Sequence, residues 1–170
     1  MLFLRYFTLC FISFLSFMQT ASSYMRQLNI LYAALALGQL IFFVVASQIG
    51  GISPELHEMF RYIVPAVLVG AVLGASFLYM NRMTSIKPDQ SLSKKLDGYR
   101  MANMLRWACL ESGAMFSLVG YFLTGNVWYA YLFAAAFLPF IINRPTLDKC
   151  MSQLPLTDRE KSILQQDTPF

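Results

Sequence analysis

The sequence predicts an all-α protein of the membrane class, a polytopic bundle of four transmembrane helices. Of its 170 residues, 57% are apolar and only 13% are charged, whereas about a quarter of the residues in a water-soluble domain carry charge. Four apolar runs match, or nearly match, the length of helix needed to cross a hydrocarbon core about 30 Å thick. Lysine and arginine residues flank these runs rather than interrupting them, which is typical of membrane proteins.

The four predicted spans are residues 28–49, 62–80, 107–125 and 127–142, of which the last is the shortest. Breaker clusters at residues 50–54 (GGISP) and 87–89 (KPD) end one helix and permit the next. The connection between the last two spans is only Thr124-Gly125-Asn126. We therefore expect those two spans to form an antiparallel helical hairpin.

Residues 1–24 form a hydrophobic N-terminal extension that has Arg5 near its start and the outline of a signal peptide. Cleavage would leave the new N-terminus outside and would put most basic residues outside too, against the positive-inside rule. We therefore expect either an additional membrane helix or a mis-assigned start, with Met25 as the first residue. The remaining domains are the transmembrane domain, residues 25–145, and a short amphipathic tail, residues 146–170.

The distribution of basic residues predicts the orientation. With an even number of spans, eleven of the twelve lysines and arginines beyond residue 25 share one side, and only Arg61 lies opposite. Because cytoplasmic flanks retain positive charge, we expect a multi-pass protein of the bacterial cytoplasmic (inner) membrane with a cytoplasmic C-terminus. Trp128, Tyr129 and Tyr131 are expected to form an aromatic belt on the outer side.

Small and polar residues within the spans predict how the helices pack. Ala66, Gly70 and Gly74 follow one another at four-residue spacing, a stripe that lets a second helix approach closely. We expect this contact to lie within the chain, with a dimer face as the alternative. Gln39, near the middle of the first span, is expected to face the bundle and to bond to a neighbouring helix.

Glu111 is the only acidic residue inside a predicted span. A charged side chain at the centre of a membrane helix costs roughly 2.5 to 3.5 kcal/mol, so this carboxyl group must be protonated, paired or hydrated. It lies five residues after Arg106, nearer the cytoplasmic surface than the midplane. The candidate polar partners are Gln39, Arg26, Tyr32, Arg106, Asn143 and Arg144.

Two resemblances concern this region. The segment at residues 108–120, ACLESGAMFSLVG, resembles the carboxylate helix of ATP synthase rotor c subunits, which implies an ion-binding role for Glu111. Residues 26–164 resemble small bacterial four-span inner-membrane proteins of uncharacterised activity, with an LESGAMF third helix, a Thr-Gly-Asn turn and an Arg-Pro-Thr exit. This second resemblance implies the architecture alone.

The cytoplasmic parts are predicted to be helical and to lie near the membrane surface. A helix capped by Asp89 or Ser91 runs without proline into the third span, and its Lys94, Lys95 and Arg100 are expected to meet anionic headgroups. The tail is predicted to form two short amphipathic helices. The second starts at a capping box, Thr157 to Glu160.

Several function classes are excluded by what the sequence lacks. It has no HExxH, GxSxG or glycine-rich phosphate motif, and its carboxylates do not cluster as a metal site requires. The net charge of +4 flanks apolar runs and does not indicate nucleic-acid binding. We expect a non-catalytic accessory or scaffold subunit without cofactor, in a homo-oligomer or larger membrane complex. The alternative is a proton-coupled carrier or ion-translocating component that uses Glu111.

Overall fold

The computed structural model describes residues 20–169, and all regular secondary structure in this range is helical. The all-α prediction is confirmed for this range, and residues 1–19 of the N-terminal extension lie outside it. The elements in chain order are α1 (Ala21–Ile49), a 3-10 turn (Pro54–Leu56), α2 (His57–Thr84), α3 (Leu92–Thr124), α4 (Val127–Ile142), α5 (Leu147–Gln153) and α6 (Asp158–Gln165).

The helix boundaries are set by residue types that can be recognised in the sequence. Gly125 ends α3 in the left-handed conformation with φ +68°, which glycine adopts without steric cost. Asn126 then caps α4 by accepting a hydrogen bond from the Trp128 backbone N–H at 3.0 Å. The predicted hairpin of the third and fourth spans is therefore formed by residues suited to a tight helix-helix turn.

Helices α1 to α4 alternate in direction. At one end, the Tyr24 hydroxyl donates to the Leu96 carbonyl at 2.8 Å and the Trp107 indole N–H donates to the Asn143 carbonyl at 3.3 Å. At the other end, the Gly51 N–H donates to the Phe122 carbonyl at 2.8 Å. The starts of α1 and α3 thus meet the end of α4 at the first of these ends, which we name the basic end. All lysines and arginines among residues 26–161 except Arg61 lie on elements or connections at the basic end.

Helix α3 is central and packs against α1, α2 and α4. Its glycines create the close contacts: a Cβ on Gly113 would lie 2.8 Å from the Ala71 Cβ, and one on Gly120 would lie 3.2 Å from both Val64 and Tyr129 side-chain atoms. In contrast, a Cβ on Gly70 or Gly74 would meet nothing within 4 Å.

The expected packing of the Ala66–Gly70–Gly74 stripe within the chain is therefore not found among residues 20–169. Val64 and Ala75 are buried on the opposite side of α2, because a helix turns about 100° per residue and separates these positions from the stripe. Close approach between helices, which the sequence suggested for the α2 stripe, instead occurs at Gly113 and Gly120 of α3.

Within residues 20–169, two helices are long and apolar enough to cross a membrane: α1, and α2 together with the 3-10 turn before it. Helices α4 and α5 add a third if the pair, bent by 75°, counts as one span. The sequence predicts four spans, so the observed helices support part of that number. The apolar half of α3 is diluted by polar residues such as Glu111 and Ser117, and α4 has only 16 residues.

The surface of the helices is apolar to a degree that water-soluble bundles avoid. Large side chains remain exposed along α1, α2 and α4, for example Ile41 at 64%, Phe77 at 69% and Leu138 at 59%. Trp128 and Tyr131 are exposed as an aromatic belt requires, whereas Tyr129 is buried and is therefore not part of that belt. Such a continuous apolar exterior indicates a membrane environment.

Stacked aromatic rings fill the interior between α1, α3 and α4. Tyr32 stacks on Phe140 with ring centroids 4.8 Å apart and meets the Trp107 ring edge at 5.5 Å. Further along, the Phe43 ring stacks on Phe133 at 5.5 Å. These two layers hold α1 against the rest of the bundle.

Candidate functional site

Glu111 lies on α3 and is partly buried. No hydrogen bond or ion pair joins its carboxyl group to any other residue within 20–169. The adjacent Ser112 hydroxyl donates to the Cys109 carbonyl at 2.8 Å and so belongs to the helix backbone. Among the described residues, Glu111 therefore lacks the polar partner that the sequence suggested for it.

Two of the candidate partners, Tyr32 and Arg106, interact with groups other than Glu111. The Tyr32 hydroxyl donates to the Phe140 carbonyl at 3.2 Å. The Arg106 guanidinium lies over the Tyr79 ring, 4.6 Å from its centroid, a cation-π contact. Both interactions tie helices together at the basic end and leave Glu111 apart from them.

Three of the other candidates lie at the helix ends. The Asn143 amide donates to the Pro139 carbonyl at 2.6 Å and so caps the end of α4. Arg26 and Arg144 are exposed, and Arg144 lines an open cleft beside the start of α1. The structure therefore does not gather the predicted polar partners around Glu111.

Gln39 is the innermost polar residue of α1. Its side chain is fully buried at 0% exposure, which confirms that it faces the bundle. Neither its amide nitrogen nor its amide oxygen has a hydrogen-bond partner among the described residues. Within residues 20–169, the predicted bond to a neighbouring helix is therefore not formed.

Lys95 departs from its expected role at the membrane surface. Only 1% of its side chain is exposed, and its ammonium group lies 2.9 Å from both carboxylate oxygens of Glu160 in α6. Lys95 is thus unavailable to anionic headgroups, while Lys94 is exposed. Arg100 is partly buried, with its guanidinium 5.1 Å from the Tyr24 ring centroid.

The tail helices dock on the basic end through specific polar contacts. Burial raises the pKa of Glu160, but hydrogen bonds from the Thr157 backbone and from Lys95 outweigh it and hold this pKa below its usual value. Thr157 and Glu160 also complete the predicted capping box, and the prediction of two short tail helices is confirmed.

A second carboxylate fastens the end of the tail. Asp167 accepts hydrogen bonds from the Ser22 backbone N–H and the Ser22 hydroxyl, each at 2.7 Å. These bonds hold the pKa of Asp167 below its usual value. The tail therefore contacts α1 through Asp167 and α3 through Glu160.

The ion pair of Lys95 and Glu160 was missed by sequence reasoning, although a signal exists. Lys95 follows Leu92 by three residues and precedes Tyr99 by four, so it lies on the same helix face as two buried side chains. A lysine on an apolar face needs a carboxylate partner, and the tail supplies one. Comparison with protein-family models, curated proteins and solved structures finds no match to this chain.

Proposed function

We propose that this chain is an integral protein of the bacterial cytoplasmic membrane that crosses the bilayer four times and acts as a non-catalytic accessory or scaffold subunit. The observation that carries the proposal is the exterior of the bundle. Large apolar side chains remain exposed along α1, α2 and α4, and lipid is the solvent that suits them.

Four spans fit the antiparallel arrangement of α1 to α4. In this arrangement α3 crosses together with its neighbours α1, α2 and α4, which bury Ser117 and Thr124, so α3 itself needs less apolar surface. Helix α4 is about 24 Å long at 1.5 Å per residue, a mismatch that local thinning of the bilayer accommodates at modest cost. The basic end and the tail then face the cytoplasm.

The scaffold role is supported by how the interior is filled. Stacked rings occupy the space between α1, α3 and α4, and the tail covers part of the basic end. No described residue packs closely against Gly70 or Gly74 of the Ala66–Gly70–Gly74 stripe, so the stripe offers close approach to a second copy or to another membrane subunit.

The second candidate is a proton-coupled carrier or ion-translocating component. It is favoured by Glu111, whose carboxyl group is partly buried and has no polar partner among the described residues. A carboxyl group held in this way exchanges protons with whatever water reaches it. Because four helices enclose little pathway, such a carrier would function as an oligomer.

Liposome reconstitution separates the two functions. A pH-sensitive dye trapped inside reports flux after an imposed pH gradient, for the native protein and for Glu111→Gln, which keeps the shape of the protonated acid. Glu58→Gln is the matched control, because Glu58 is exposed at the end opposite the basic end. The scaffold proposal predicts no flux in any of the three. A flux that Glu111→Gln abolishes and Glu58→Gln retains would replace it with the carrier.

A further inference from the structure

An open cleft of about 380 Å³ lies at the basic end, between the start of α1, the connection from α4 to α5, and the end of α6. Apolar, polar and charged residues all contribute to its lining. The residues that matter here are Ser22, Asn29, Arg144, Leu164 and Asp167. Three separate segments of the chain therefore build it.

The positive charge in the cleft comes from Arg144, and the negative charge of Asp167 lies in the same lining. The Arg144 side chain makes no hydrogen bond or ion pair with any residue in the part of the chain that the structure describes. Asp167, the carboxylate in the lining, is already bonded to Ser22 through both of its oxygens.

The cleft also has a donor besides the guanidinium. The Asn29 amide donates one hydrogen to the Met25 carbonyl at 2.9 Å, and an amide nitrogen carries a second hydrogen that can be donated. A planar guanidinium with a nearby amide donor matches the oxygen atoms of a phosphate group.

Exposed apolar side chains continue from the cleft along the helices that would lie in lipid. Ile30 follows Asn29 on α1, and Leu138, Ile141 and Ile142 form the exposed end of α4 just before Arg144. The cleft therefore lies where a phospholipid would place its phosphate while its acyl chains contact α1 and α4.

We propose that this cleft binds the phosphate headgroup of an anionic phospholipid, with Arg144 as the principal contact and the acyl chains along α1 and α4. The proposal rests on the membrane insertion proposed above. A phospholipid is favoured over a free phosphate ion because the apolar surface adjoins the cleft directly. Asp167 sets the affinity, since its negative charge lies in the same cleft as the phosphate.

Native mass spectrometry of the full chain in detergent tests the Arg144 contact. Phosphatidylglycerol and phosphatidylcholine are titrated against the native protein and against Arg144→Gln, with Arg82→Gln as control because Arg82 is exposed on α2, away from the cleft lining. We expect phosphatidylglycerol to bind more tightly than phosphatidylcholine. Arg144→Gln should weaken the first bound phosphatidylglycerol about fivefold, from roughly 1 kcal/mol per basic residue, and Arg82→Gln should not. Equal effects of the two variants, or no effect of either, would overturn the site.

Two further binding measurements test the role of Asp167 and the preference for a lipid over a free phosphate. Asp167→Asn removes a like charge and should raise the affinity for phosphatidylglycerol, whereas Asp158→Asn on the exposed side of α6 should leave it unchanged. Glycerol 3-phosphate or inorganic phosphate that binds as tightly as the lipid would contradict the role of the acyl chains. Lipid binding in detergent is measured separately from membrane insertion. If the protein inserts into the membrane but binds phosphatidylglycerol and phosphatidylcholine equally, the lipid site is wrong and the proposed function is unaffected.

Discussion

Glycines in the long helices differ in what a methyl group would meet, and this difference is testable one residue at a time. An added Cβ at Gly113 would lie 2.8 Å from the Ala71 Cβ, where α2 and α3 press together. At Gly70 the same atom would meet nothing within 4 Å. Helix propensity favours alanine at both positions by about 1 kcal/mol, so packing alone separates them.

Gly113→Ala is expected to lower the free energy of unfolding by about 1 to 2 kcal/mol, because overpacking a tight contact outweighs the gain in helix propensity. Gly70→Ala is expected to leave that free energy unchanged or to raise it slightly. Thermal unfolding in detergent, followed by circular dichroism, measures both variants. A Gly113→Ala protein at least as stable as Gly70→Ala would mean that α2 and α3 do not pack as described.

Sequence reasoning succeeded at the residue scale where a single residue type determines its own geometry. Gly125 at a helix end and the Thr157–Glu160 capping box are local features, and both are formed. It failed where the outcome depends on a distant segment. Nothing near Lys95 in the chain identifies Glu160, 65 residues away, and nothing near Gln39 indicates that its buried amide has no partner among the described residues.

At the scale of elements, the same distinction applies to helix packing. A stripe of small residues indicates where a helix can approach, but it does not say whether the approaching helix belongs to the same chain. The stripe on α2 is therefore readable from the sequence while its partner is not. The close contacts form at Gly113 and Gly120 of α3 because α3 is the central helix.

The docking of α6 on α3 depends on the ion pair of Lys95 and Glu160, and its dependence on pH has a definite sign. The pKa of Glu160 is lowered in the folded chain. Its contribution to stability is therefore fully present above the unfolded pKa of about 4.3 and is lost as the pH falls through the lower folded pKa.

Glu160→Gln is expected to cost about 3 kcal/mol at pH 7, because it leaves the Lys95 ammonium buried without its counter-charge. The native protein and the variant should converge in stability as the pH is lowered through the folded pKa of Glu160, which lies below its usual value. Unfolding measured at several pH values checks this. Asp158→Asn serves as the control, since the Asp158 carboxylate is exposed, and should behave as the native protein does.

Replacing both members of the pair by methionine tells whether the stability lost in Glu160→Gln comes from the unpaired charge of Lys95 or from loss of α6 docking in general. The Lys95→Met/Glu160→Met protein should regain most of the stability that Glu160→Gln loses, because no uncompensated charge remains. A double variant as unstable as the single one, or a stability difference that persists unchanged at low pH, would contradict the assigned role of this ion pair.

For the molecule as a whole, composition predicted the fold class and charge distribution predicted a common end for the basic residues. Both follow from sums over many residues, which do not depend on knowing any single contact. The number of membrane spans is harder to predict from the sequence than the fold class. Hydropathy is calculated for each helix alone and does not take account of neighbouring helices. Helix α3 packs against three other helices, and α4 is short, so hydropathy alone does not settle whether either one spans the membrane.

Placement of the two ends across a bilayer tests the central claim most directly. Single cysteines replace Glu55, Asp89 and Gln166, all exposed, in a chain whose native cysteines are changed to serine or alanine, and a membrane-impermeant maleimide is applied to spheroplasts. The predicted result is labelling of Glu55→Cys in intact spheroplasts, and labelling of Asp89→Cys and Gln166→Cys only after permeabilisation. Labelling of Asp89→Cys and Gln166→Cys from opposite sides, or recovery of the protein from the soluble fraction, would contradict it.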